Sequence, residues 1–392
     1  MLRCFALLTL TATVACSNGR SIDPPAAGGS FAPRVSRFDD RIVLSWVERD
    51  AAGVPALRFA LRESRAWGVP KTAIHDARLA ADTADVPSVV PLGGGGLAAH
   101  WTVKRDGSPD ARDLMVSVSK DGGLSWTKLA RPHRDDTESE HGMATLLPAD
   151  VGGGFGMCWL DGRAGELSEY GEGGTSLYWA DWSHDGFGPE VLLDARVCDC
   201  CKTSAARGPT GPVVAYRDRG EGEQRDVAIV RQDGPEWSAP QPVHADGWSL
   251  SACPTNGPSI TTRGDRATVA WFTGANASPS VWVTQSADGG KTLGAPVRID
   301  DGAPIGRVDA TMLADGSTAV VWLERKGTGA EVRVRRVAPE GGLTPAVVVA
   351  TTSPARASGY PSIVDEGALD VLVAWTEAGP PSRVRATVVR LP

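Results

Sequence analysis

Helical periodicity is missing from this chain: no window sustains the 3.6-residue apolar spacing of an amphipathic helix, which argues against a helical fold. Basic runs and low-complexity tracts are missing too, and the formal net charge is -7, so no nucleic-acid partner is expected. Only 7 cysteines occur in 392 residues; Cys198 and Cys201 have C-x-x-C spacing, but within the run VCDCCKT, with a third cysteine between them, which is not the thioredoxin-type oxidoreductase motif. Tyrosine (4) and phenylalanine (7) are scarce. Against these stand 13 tryptophans, 46 glycines and 28 prolines, a composition that suits many short strands joined by tight turns.

Met1 to Ala15 has a basic start at Arg3, the apolar run CFALLTLTATVA and a small residue before Cys16. This reads as a signal peptide, since about a dozen apolar residues are too few to span a bilayer comfortably. The ending TVAC resembles the lipobox of bacterial lipoproteins, with Cys16 as the acylated residue, although Thr13 stands where leucine is usual. The resemblance implies export through the inner membrane and a lipid anchor, and Ser17 implies sorting to the outer membrane; a plain secretory signal is the alternative. Residues 16–30, including SNGRSIDPPAAGGS, read as a flexible tether, and 31–392 as one domain. A monomer is expected.

A pattern of period two, ending in an aromatic that is often followed two places later by an acid, recurs along the chain. Its copies are IVLSWVE, LAAHWTV, FGMCWLD, VVAYRD, ATVAWFT, TAVVWLE and VLVAWTE, with aromatics at Trp46, Trp101, Trp159, Tyr216, Trp271, Trp322 and Trp375. Short strands such as VPSVV precede these runs, and DLMVSVS or SVWVTQS follow. Four antiparallel strands per unit, repeated radially, predict an all-β propeller of seven blades, with six as the alternative. The last unit stops after its third strand, so either the N-terminal stretch closes the ring or that blade is three-stranded.

The turn SKDGGLSW, Ser119 to Trp126, matches the S-x-D-x-G-x-x-W Asp-box, and SADGGKTL from Ser286 lacks only the final aromatic. SHDGFG from Ser183 and QDGPEW from Gln232 are degenerate copies. These turns resemble those of sialidases and related BNR-repeat propellers, and more broadly the chain looks like bacterial sialidase-like lipoproteins. The Asp can accept N–H bonds within its own turn, so the motif is structural. By resemblance, the functional face is the one away from these turns.

Counting back 18 residues from Trp159, Tyr216 and Trp271 gives His141, Cys198 and Cys253, expected at equivalent positions on that face. With Cys200 and Cys201 they form a candidate soft-metal site for copper or zinc. Disulfides, one of them joining blades four and five through Cys253, are the alternative, as is a mixture of one disulfide and a smaller thiol and histidine site. The same face should receive Asp161, Arg163, Arg217, Asp218, Arg219, Arg307 and Asp309, candidate ligand-binding residues, with Arg225 and Asp226 beside them. Cys158 is expected to be a buried structural thiol, and His75, His100, His133, His184 and His244 to be structural or solvated.

A sialidase, by that resemblance, needs three arginines for the substrate carboxylate, a tyrosine nucleophile paired with a glutamate, and an aspartate acid/base. Arg217, Arg307, Tyr360 and Asp218 are the candidates; Arg34 in FAPRV only loosely echoes the family's arginine motif, and no glutamate is marked as the partner of Tyr360. Three readings follow: a metal- or small-ligand-binding propeller lipoprotein, an exo-alpha-sialidase, and a disulfide-stapled scaffold that recruits a glycan or an envelope protein.

Overall fold

The computed structural model describes residues 19–106, 111–127, 129–150, 152–166, 174–183 and 186–392. Met1 to Ala15, expected to be a signal peptide, Cys16 and His184 lie outside the described residues.

Seven antiparallel sheets form a ring, one for each copy of the aromatic repeat. The first three strands of blade one are Phe31–Phe38, Arg41–Arg49 and Pro55–Glu63; those of blade four are Ser204–Arg207, Pro212–Arg217 and Val227–Asp233. Among the described residues, the fourth strand of blade two is reduced to Ala130, bridged to Val116. Blade seven gains its fourth strand from the N-terminus: Gly19–Ser21 pairs antiparallel with Arg383–Arg390. Chain start and chain end therefore close the ring together, the first of the two closures considered above, and six blades are excluded.

The repeat has a direct physical origin. A strand places residues i and i+2 on one face, so an acid two places after a tryptophan lies beside its indole. Trp46 Nε1 donates to Glu48 at 2.6 Å, Trp159 Nε1 to Asp161 at 2.8 Å, and Trp322 Nε1 to Glu324 at 2.6 Å. The large ring can then be fully buried between blades with its N–H satisfied. At Trp271, where the acid is missing, Asp246 accepts instead at 2.8 Å, whereas Trp101 Nε1 has no partner.

The first strands line the central channel and would expose one row of backbone N–H groups each. Polar side chains at one register position cover them. Ile260 N donates to Ser204 Oγ and Ala310 N to Ser259 Oγ, both at 3.0 Å, and Val35 N to Ser362 Oγ at 3.2 Å. Each of these bonds joins one blade to another, so the inner wall is a hydrogen-bonded hoop.

The turn at Ser119 lies at the far end of the third strand. Asp121 Oδ1 accepts from Leu124 N (3.0 Å) and Ser125 N (2.9 Å), and these bonds with those of the Ser125 and Ser119 hydroxyls hold its carboxyl well below the usual range. Gly123, at φ +84°, leaves room for Phe59, which a Cβ would meet at 2.3 Å. Among the described residues no helix is long and apolar enough to cross a membrane.

Candidate functional site: a sulfur cluster beside the central channel

Two loops, each running into a first strand, meet at the junction of blades four and five. One carries Cys198, Cys200 and Cys201 and leads into Ser204–Arg207; the other carries Cys253 and leads into Ser259–Arg263. Both reach the ends of the first strands opposite to the Ser119 turn.

Cys200 and Cys253 form a disulfide between the loops, with Cα atoms 6.0 Å apart. Cys198 and Cys201 are free and buried. The Cys198 sulfur lies 3.4 Å from that of Cys201 and 3.8 Å from that of Cys200. The Cys201 hydrogen bond, together with the Cys200 N–H and the charges of Arg217 and Arg225, brings the Cys198 thiol down to about 6 against the opposing effect of burial. Burial and the Cys198 sulfur push Cys201 the other way, well above the usual thiol range. The two opposite shifts favour the negative charge on Cys198 over Cys201. Beside it Arg225 is almost fully buried, and its Nε and Nη1 have no hydrogen-bond partner; burial opposes its charge, while the Cys198 sulfur and Glu223 favour it.

The residues expected to form a catalytic set surround this loop from below. Arg217 is 1% exposed. Its Nε and Nη2 donate to the Asn256 carbonyl at 2.9 and 2.7 Å, Nη2 also to Phe272 O at 2.7 Å, and Nη1 to Arg225 O. Its guanidinium lies over the Trp248 ring, 4.9 Å from the centroid. Arg307, at φ +56°, offers its backbone N–H to Asn256 Oδ1 at 2.6 Å while its Nη1 bonds the carbonyls of Ala355 and Gly359. Tyr360 donates its hydroxyl to Thr255 O at 2.5 Å. The segment from Cys253 to Asn256 is thus pinned by Arg217, Arg307 and Tyr360 together. Gly257 comes next, and a Cβ there would lie 2.0 Å from the Lys202 carbonyl, which is how closely the two loops approach.

This geometry differs from the sialidase pattern. The Arg217 donors are consumed by backbone carbonyls, leaving no fork for a substrate carboxylate, and among the described residues no glutamate side chain is hydrogen-bonded to Tyr360. Asp218 is partly buried, which raises its carboxyl, and accepts from the Arg219 N–H; Arg219 itself pairs with Glu223 at 3.0 Å.

His141 is the one member of the expected metal set that lies elsewhere. Its ring stacks on His133, its Nδ1 donates to Arg112 O at 2.9 Å, and its Nε2 faces Asp135 and Asp161. The count of 18 misplaced it because the hairpin of blade three is longer. There Thr145 pairs with Cys158, whereas Ser204 pairs with Ala215 and Ser259 with Ala270, a difference of two residues. His141 accordingly opens a first strand, while Cys198 and Cys253 lie in loops ahead of theirs. Asp161 and Arg163 belong with His141: Arg163 grips Asp161 bidentately at 2.8 and 2.6 Å and reaches Glu190 at 2.7 Å.

Cys158 is fully buried, close to Thr145 O and Thr203 Oγ1, and burial raises its thiol to about 11. It is an inert core residue.

The central channel, about 650 Å³, opens beside the cluster. Asp309 sits in its wall between Arg34 (3.1 Å), Ser259 Oγ (3.0 Å), Ser362 Oγ (3.1 Å) and Lys202 Nζ (3.9 Å). Burial opposes the Asp309 charge, but Arg34 and Lys202 hold its carboxyl below the usual range. Lys202, whose ammonium lies 4.9 Å from the Tyr360 ring centre, is brought down to about 8 by burial. Sequence reasoning passed over Lys202, although its place next to Cys201 and two residues before a first strand was a usable signal.

No protein-family model matches the chain, and no curated protein matches it. Solved structures do resemble it. A protein of unknown function from Dyadobacter fermentans is 15% identical, with a TM-score of 0.54 over 96% of this chain and 100% of the other. An ulvan lyase of polysaccharide lyase family 25, solved with a bound GlcA(1-4)Rha3S oligosaccharide, is 11% identical with a TM-score of 0.58, covering 95% and 96%. The endosialidase of phage phi92 is 10% identical with a TM-score of 0.50, covering 96% of this chain and 70% of that one. The fold is therefore that of the sialidase-like seven-bladed propellers; at such identities the likeness speaks of fold alone.

Proposed function

We propose that this protein is an exported, lipid-anchored propeller of the cell envelope that binds a soft transition metal ion, copper(I) foremost and zinc second, at the thiols beside its channel. One observation carries this reading: four cysteine sulfurs from two loops come together, Cys198 and Cys201 free and buried 3.4 Å apart beside the Cys200–Cys253 bridge. Two sulfurs bound tetrahedrally to one metal ion lie about 3.8 Å apart, given metal–sulfur bonds of about 2.3 Å. The free pair Cys198 and Cys201, at 3.4 Å, is within about 0.4 Å of that spacing. Cys198 and Cys201 are the ligands in the disulfide-bonded form, and reduction of the bridge adds Cys200 and Cys253. Thiolate donors favour copper(I), and Arg225 with Arg217 offsets the negative charge of the complex. His141 has no part in it.

The test is metal content by plasma mass spectrometry on protein purified from the periplasm without chelator, with a thiol titration on the same sample. The reading expects close to one copper or zinc per chain, with Cys198 and Cys201 protected from labelling. It also expects no hydrolysis of a fluorogenic sialoside, because Tyr360 lacks the carboxylate that would activate it. Metal-free protein in which Cys198 and Cys201 are oxidised would favour the stapled scaffold, and sialoside turnover would favour the glycosidase.

A further inference from the structure

The sulfur cluster holds a disulfide and a dithiol side by side. Cys200 and Cys253 are bridged, whereas Cys198 and Cys201 are free. The Cys198 sulfur stands 3.8 Å from that of Cys200 and 3.4 Å from that of Cys201, and the sulfurs of Cys198, Cys200 and Cys201 all lie within 4.8 Å of one another. A thiolate so placed can attack one sulfur of the bridge and expel the other.

Cys198 is the group placed to attack. Cys201 is adjacent to Cys200 in sequence, and a bridge between neighbouring residues closes only a small, strained ring. A disulfide bond is about 2.05 Å long, so Cys198 needs an approach of less than about 2 Å to bond either neighbour. The backbone permits such movement. Cys198 to Cys201 form a turn between Val191–Val197 and Ser204–Arg207, and Cys253 precedes Ser259–Arg263, so no strand ladder is broken when these side chains turn. The sulfurs also differ in access: Cys198 and Cys201 are each 1% exposed, while Cys253 is an exposed residue.

We infer that the four cysteines form a dithiol–disulfide relay that interconverts two isomers of the protein. The Cys198 thiolate attacks Cys200 Sγ: the Cys198–Cys200 bond forms, the Cys200–Cys253 bond breaks, and Cys253 leaves as a thiolate that takes up the proton Cys198 gave away. Cys201 then attacks Cys198 Sγ, forming the Cys198–Cys201 bridge and releasing Cys200, which takes up the Cys201 proton. Each step replaces one disulfide by another and one thiol by another, so no oxidant or reductant is consumed. In the first isomer blades four and five are stapled and the free thiols are buried. In the second the staple is open and Cys253 presents a thiol to solvent. This isomer differs from a doubly stapled scaffold in keeping two free thiols. The exchange itself needs no metal; its consequence for the proposed metal site rests on that reading, because the Cys198 and Cys201 ligand pair exists in the first isomer alone.

Exchange is read on metal-free wild type incubated at neutral pH with a bulky maleimide, then quenched in acid and digested with trypsin. Cleavage after Arg196 and Lys202 releases VCDCCK, so a Cys200–Cys253 bridge ties two peptides together, whereas a bridge from Cys198 to Cys200 or Cys201 stays within one. Wild type gains label on Cys253 together with a bridge inside VCDCCK. Cys201→Ser stops after the first step, with Cys198 bridged to Cys200 and Cys253 labelled. Cys198→Ser lacks the attacking thiol, and its Cys253 is labelled at least about 10-fold more slowly than in wild type. The wild-type map decides by itself if a variant fails to fold. The inference is overturned if wild-type Cys253 stays bridged to Cys200 and unlabelled, or if Cys198→Ser labels Cys253 as fast as wild type. With metal absent throughout, neither result depends on whether the thiols bind an ion.

Discussion

Replacing Cys198 and Cys201 together by serine weakens copper(I) binding by at least about 100-fold, because two soft thiolate donors become neutral hydroxyls that compete poorly for such an ion. Competition with a chromogenic copper(I) chelator measures the effect. Both side chains are buried and lie 3.4 Å apart, so serine fits the space and the fold persists, which keeps the readout on binding. Cys158→Ser serves as the control. Its sulfur contacts Thr145 and Thr203 within the core, and a thiol raised to about 11 remains protonated at neutral pH, so copper affinity stays unchanged. Equal affinity in the double variant and wild type would remove the sulfur cluster from the function.

Arg217→Met destabilises the domain by about 3–5 kcal/mol, the range for disrupting a buried polar network and well above that of a surface substitution. Arg217 donates to the carbonyls of Asn256, Phe272 and Arg225 from a position 1% exposed. Methionine fills much of the volume yet leaves those oxygens buried without donors, each costing roughly 1–3 kcal/mol. Arg217→Lys rescues little, since a single ammonium cannot reproduce the planar fork. Because Asn256 belongs to the segment that carries Cys253, the variant loses thiol protection as well as stability. Urea unfolding gives the first quantity and labelling of Cys198 the second. A loss below about 1 kcal/mol, as for an exposed arginine, would mean that the guanidinium is free to serve a ligand instead.

The propeller was legible because its cause is local and repeated. A tryptophan buried between blades needs an acceptor, strand geometry supplies one two residues on, and Trp46, Trp159 and Trp322 show this in the sequence as W-x-E or W-x-D. Ring closure was half legible: the missing strand was evident, but not that Gly19–Ser21 supplies it. The meeting of Cys198, Cys200, Cys201 and Cys253 could be read because loops ahead of neighbouring first strands must adjoin. The place of His141 could not, since it depends on a two-residue difference in hairpin length that side-chain patterns do not record. Arg217, Arg307 and Tyr360 lie in the neighbourhood expected, but their donors are taken up by backbone carbonyls. An arginine or tyrosine at a channel mouth looks the same in sequence whether its donors face a ligand or, as here, the carbonyls of Asn256, Ala355 and Thr255.

X-ray absorption at the copper edge on wild-type protein, loaded with one equivalent of copper(I) and compared with the Cys198→Ser/Cys201→Ser variant, tests the central claim most directly. The account predicts a sulfur shell at about 2.3 Å in the wild type that is lost in the variant. A shell of nitrogen and oxygen only, the same in both proteins, would contradict it.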